Sequence, residues 1–180
     1  MTNFAREIRD AAIERLKLLG RYAPRGRPGT PARIRRTPVM PAQADEVPCL
    51  MVYLGNQTMT ADGDANAGEP SFVNEVQLVI ASILNADDAD DLDDRMADAG
   101  TEVLETLLED PDWLALSEGV PTVTQQSRFD DSKYLAAIVM TTITVTYRTL
   151  WPPRVAGDFL AIRMRTPDGG GADYPVNPEA

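Results

Sequence analysis

From Tyr134 to Thr149 the chain alternates almost without interruption. Leu135, Ala137, Val139, Thr141, Ile143, Val145 and Tyr147 fall on one side, opposite Ala136, Ile138, Met140, Thr142, Thr144, Thr146 and Arg148. A period of two means an extended chain. The first half of this strand is apolar on both sides and the second half is Thr-lined on one, which predicts a strand that begins sandwiched and ends with one face turned outward. A second long strand is predicted from Ser71 to Leu84, with Val76, Leu78 and Ile80 inward and Glu75 and Gln77 outward. Val47 to Gly55 is a continuous apolar run and reads as a strand covered on both faces, with Pro48 admissible only at its start. Pro121 to Arg128 makes a shorter strand, joined to the long one through 129–133.

Two segments carry helical spacing instead. The first spans Asn3 to Leu19, with Thr2 or Asn3 as N-cap, Phe4, Ile8, Ala12, Leu16 and Leu19 on one side, and Gly20 as the stop. The second starts at a cap near Asn85 or Asp87 and continues to Glu109, with Leu92, Met96, Ala99, Val103 and Leu107 in register and acids around the rest. Pro111 ends it, and Trp113, Leu114 and Leu116 pack back as a short turn. The expected fold class is α+β: a mixed or antiparallel sheet of about four strands against two helices, in the order α-β-β-α-β-β.

Between these elements lie segments with no period. Residues 21–46 carry five prolines and six arginines, which predicts an irregular arm that orders mainly against a partner. Residues 56–69, rich in Gly, Asp and Asn, read as the long tip of a hairpin. Residues 1–151 are expected to form a single domain. Residues 152–180 form an extension in which Phe159, Leu160 and Ile162 can make one short element, with a disordered terminus beyond Thr166.

Charge sharpens the picture. Residues 1–36 hold ten Lys or Arg against three acids, a balance of +7, and the remainder stands at −18, for a net charge of −11 over 180 residues. A basic arm on an acidic body can meet nucleic acid, an acidic partner or the body of a neighbouring copy. Arg25, Arg27, Arg33, Arg35 and Arg36 are the candidate contacts, and guanidinium groups also bridge phosphates. No aromatic residue is interleaved from Arg25 to Arg36, which argues against base stacking. The arm ranks first as a clasp on an adjacent subunit, second as a solvated linker and third as a DNA contact.

Catalytic equipment is sparse. The chain has no histidine, which removes the commonest general base and metal ligand together with every Ser-His or Cys-His arrangement. Its one cysteine, Cys49, sits in an apolar run and reads as a small buried hydrophobe, so no disulfide framework exists. Asp62, Asp64 and Asn66 match the start of a calcium loop, but Ala67 and Val73 stand where Gly and a bidentate Glu are required. The acids from Asp87 to Asp94 have helical spacing without a phosphate loop or basic partner, and read as a solvated helix face. No metal, cofactor or enzymatic activity is assigned. No stretch approaches the roughly 20 apolar residues that span a bilayer, so no membrane partner is expected.

The N-terminal helix, the Pro-rich stretch ending in Asp45-Glu46-Val47-Pro48, the strand ending in Val52-Tyr53-Leu54-Gly55, the acidic helix and the last strand closing on Val145-Thr146-Tyr147-Arg148-Thr149 together resemble the tail terminator proteins of long-tailed bacteriophages, the minor tail protein U type. The likeness covers about residues 3–151; the arginine-dense insert and the extension past Trp151 depart from it. It implies a structural virion protein, made in the host cytoplasm, that caps the head-proximal end of the tail. There it forms a hexameric ring that stops tail-tube polymerisation, contacts the tube protein and the head completion or connector protein, and lets DNA pass through its lumen without sequence-specific binding. Thr142, Thr144, Thr146 and Arg148, with the arginines of the arm, are the expected interaction residues. The alternatives are another connector, neck or tail completion protein, a nucleic-acid-binding accessory protein using the basic arm, and a metal-dependent enzyme using the acidic cluster, the least favoured of the three.

Overall fold

A computed structural model describes residues 3–24, 29–37, 44–64, 70–130, 135–151, 161–165 and 171–175. Helix α1, Phe4–Leu16, is capped by Asn3, whose side-chain oxygen accepts from the Arg6 N–H at 3.2 Å. It buries Ala5, Ile8, Ala12, Ile13 and Leu16. Phe4, assigned to this apolar side by its spacing, remains 43% exposed. The helix ends before Leu19 because the N–H groups of Leu18 and Leu19 donate to the carbonyls three residues back, tightening the last turn. Gly20 then opens a 3₁₀ turn, Gly20–Tyr22, that places the Tyr22 ring in the core.

The sheet is built from β1, Ile34–Arg35; β2, Cys49–Ala61; β3, Ser71–Asn85; β4, Gly119–Asp130; and β5, Ala136–Leu150. Their spatial order is β1-β2-β3-β5-β4, with β1 parallel to β2 and the other neighbours antiparallel. Strand β2 runs six residues beyond the predicted Gly55, through a register shift between Leu54 and Gln57. Pairing to β3 holds these residues extended although all of Gly55–Ala61 is exposed, so no hydrophobic pattern marks them. The hairpin tip is correspondingly shorter than expected.

Helix α2, Ala89–Leu108, begins at Asp88, whose carboxylate accepts from the Asp91 N–H at 2.8 Å, and buries Leu92, Met96, Ala99, Val103 and Leu107 as its spacing predicts. Pro111 does not merely end it: Asp110 caps a four-residue helix α3, Pro111–Leu114, in which the proline occupies the first turn. Trp113 is buried, and its indole N–H donates to the Ile8 carbonyl at 3.1 Å, tying α3 to α1.

The helices share one core with the inward residues of β3 (Val76, Leu78, Ile80 and Leu84) and of β5 (Ala137, Val139, Ile143, Val145 and Tyr147). The fold is therefore α+β, with a mixed five-stranded sheet against three helices. The strand and helix beyond the expected number are two and four residues long, too short to show a period.

Two further corrections concern the segments read as irregular. Part of the arm is ordered by this chain itself: the Arg33 N–H donates to the Tyr22 carbonyl, the Leu50 N–H to the Arg33 carbonyl, both at 2.8 Å, and β1 joins the sheet. Past Trp151, β6, Ala161–Arg165, and β7, Gly171–Pro175, pair antiparallel as a separate two-stranded sheet. Of the glycines that suggested a disordered terminus, Gly171 is the first residue of β7, and Gly169 and Gly170 lie outside the described residues.

Candidate assembly surface

The face of the sheet turned away from the core is built by rows of cross-strand neighbours. Met51, Ala81, Met140 and Gln126 form one row, Tyr53, Val79, Thr142 and Thr124 the next, and Gln77, Thr144 and Thr122 a third. Toward the other end Glu75 faces Thr146 and Val73 faces Arg148. Side chains on adjacent antiparallel strands cover one another at these separations, which leaves Met51, Val79 and Ala81 buried and Thr142, Thr144 and Thr146 half-buried. No side chain of α1, α2 or α3 belongs to these rows. The face grades from apolar to threonine-lined, as the alternation of β5 predicts.

The structure brings Thr142, Thr144 and Thr146 together on that face. The Thr146 hydroxyl donates to the Gly119 carbonyl at 3.1 Å, fixing the start of β4. Arg148 is 56% exposed at the side chain and forms ion pairs with Asp62 at 2.9 Å and Glu118 at 3.5 Å. It thereby links the end of β2 to the approach to β4 across the width of the sheet. Asp62 is engaged by the Arg148 guanidinium; Asn66 lies outside the described residues.

Three arginines of the basic arm contact groups of their own chain. Arg33 donates to the Asp45 carbonyl, Arg35 pairs with Glu46, and Arg36 approaches Asp10 at 3.9 Å. Arg25 and Arg27 lie outside the described residues. A guanidinium held by a carboxylate of its own chain offers less charge to a partner, and the sequence spacing of these pairs contains no signal that they meet. Arg21, which belonged to no predicted site, joins the 3₁₀ turn to α2 through Asp98 at 3.1 Å and Glu102 at 2.8 Å.

A groove of about 910 Å³ lies where α1 begins and the far ends of β2, β3 and β5 converge. Phe4 and Met59 are each near 44% exposed along it, at 43% and 44%, with Trp151 at 44% and Leu150 at 63%. Beneath them Asn74, only 1% exposed, donates to the Thr149 hydroxyl at 2.9 Å, and Gln57 donates to the Tyr147 hydroxyl at 3.0 Å. The Phe4 and Tyr147 rings stand 5.9 Å apart, and burial raises the Tyr147 phenol above its ordinary pKa. The sequence offers one clue to this groove: Leu150-Trp151 leaves large apolar residues at a strand end.

Asp88 spends its carboxylate on the α2 cap and Asp91 pairs with Arg95 at 2.7 Å. Among the described residues no three acidic or thiol side chains converge to hold a metal ion. Cys49 is buried, and burial holds its thiol protonated by pushing its pKa up. Among the described residues no helix is long and apolar enough to cross a membrane. Compared with protein-family models and with curated proteins, the chain matches none.

Proposed function

We propose that this protein is a structural, non-enzymatic virion component that caps the phage tail tube as an oligomeric ring. In that role it ends tube polymerisation and presents the surface on which the head joins. The observation that carries this reading is a sheet with a complete core on one side and, on the other, a graded apolar-to-threonine face that no described helix covers. Its apolar end is covered by its own cross-strand neighbours, which leaves the half-buried threonine end and the strand edges for other subunits. The resemblance over residues 3–151 supplies the identity of those neighbours and the hexameric ring.

The competing nucleic-acid reading loses support, because three of its five arginines contact groups of their own chain. The neck or connector reading differs only in the partner capped.

Adding the purified protein to polymerising tube protein tests the proposal. Tubes should stop at shorter lengths in proportion to the protein added, with the protein at one tube end in electron micrographs. Unchanged tube lengths, with the protein absent from tube ends, contradict it.

A further inference from the structure

Among the described residues both borders of the five-stranded sheet are unpaired over most of their length, and they are unlike the rest of the molecule. On one side β4 forms the border over its whole length, Gly119–Asp130; among the described residues no strand pairs with its outer edge. On the other side, among the described residues, β1 pairs with β2 only at Leu50 and Met51, so Val52–Ala61 is a second border of similar length. Each border presents a row of backbone N–H and C=O groups, a template for another strand.

Soluble proteins blunt such edges with charge, yet Val52–Ala61 contains no charged residue and neither does Gly119–Ser127. In a chain of which 25% is charged and whose net charge is −11, these are two conspicuous gaps. Pro121 and the register shift between Gly119 and Thr122 blunt only the first residues of β4.

Two acids stand beside these borders at one end of the sheet, Asp62 after β2 and Glu118 before β4. Both are countered by Arg148 of the interior strand β5. Like-charged copies repel except where they meet through uncharged surface, and here Val52–Ala61 and the Gly119–Ser127 part of the β4 border are uncharged and the acid flanking each is paired.

Strand polarity completes the fit. Three successive antiparallel pairings separate β2 from β4, so the two borders run in opposite directions. A second copy set alongside in the same orientation brings its β2 border antiparallel to β4 of the first. The contact is head-to-tail, leaves one border free on each copy and repeats until a ring closes.

We infer that the outer edge of β4 pairs with the Val52–Ala61 edge of a second copy, continuing the sheet from subunit to subunit. This rests on the ring reading above and specifies the joint. The backbone groups supply the hydrogen bonds, and the uncharged Thr, Gln and Asn side chains allow the approach.

Two double variants test it. Thr122→Lys with Thr124→Lys places charge on the β4 border, and Thr58→Lys with Thr60→Lys places it on the β2 border; all four positions are exposed, so the fold is retained, checked by circular dichroism and thermal melting. Wild-type protein should assemble at millimolar concentration, each variant alone should be monomeric in light scattering, and an equal mixture of the two should give a dimer joined through the one intact pair of borders. Assembly of either variant like wild type, a mixture that stays monomeric, or a wild type monomeric throughout overturns the joint. Variants that assemble normally and still cap tubes discard the joint and leave the cap; assembly through the joint with no effect on tubes discards the cap alone.

Discussion

Tyr22 shows how a single side chain couples the turn after α1 to the stability of the core. Its ring is fully buried, and its hydroxyl faces Ser82 without a hydrogen bond of good geometry. Burial is the main reason its pKa rises to about 12. The folded state therefore keeps a proton that the unfolded chain releases near pH 10, so stability is intact below that pH and falls as pH rises from 10 to 12. The loss amounts to about 2–3 kcal/mol across the window. Urea unfolding of Tyr22→Phe should lie within about 1 kcal/mol of wild type at neutral pH and should lack this alkaline decline. A variant that declines as steeply as wild type shows that another group controls the alkaline limb. The sequence places Tyr22 two residues after Gly20, and nothing in that position signals that the phenol turns inward.

At the scale of elements, Trp113 joins α3 to α1: its buried ring fills the core and its indole N–H donates to the Ile8 carbonyl. Trp113→Ala should destabilise by about 3–5 kcal/mol, since it opens a cavity and removes the bond to Ile8. Trp113→Phe keeps most of the buried ring and should cost about 1–2 kcal/mol. Chemical denaturation of both variants reads the difference, and equal losses contradict an indole bond that matters. The long elements were legible because α2 repeats its apolar spacing over five positions and β5 alternates over its full length. The rest was hidden for specific reasons. Strand β1 is two residues long, the far half of β2 is exposed on both sides, and β6 and β7 depend on each other across a Gly-rich stretch. None of these segments carries a period of its own; each is held by the strand beside it.

The molecule as a whole divides its surfaces between those it completes and those it leaves open. Arg33, Arg35 and Arg36 of the arm tie β1, the turn before β2 and α1 together. That outcome was beyond the sequence, because ion-pair partners distant along the chain carry no spacing signature. The threonine-lined side of β5 was legible, whereas the two uncharged borders and the groove around Phe4, Met59, Leu150 and Trp151 became visible only once register was known. Exposed ion pairs such as Arg36 with Asp10 contribute little, typically less than about 1 kcal/mol. Charge reversal at Arg33, Arg35 and Arg36 should therefore loosen the arm, seen as faster amide exchange in β1, while leaving assembly intact. Loss of assembly in that variant restores the arm as an intersubunit contact.

A ring of the proposed kind requires that copies of this chain complete one another. Native mass spectrometry of the purified wild-type protein, alone and with growing tail tubes, addresses it directly. The predicted result is a closed ring whose mass is a whole multiple of the 19.7 kDa protomer. A species that remains at the protomer mass in both conditions contradicts it.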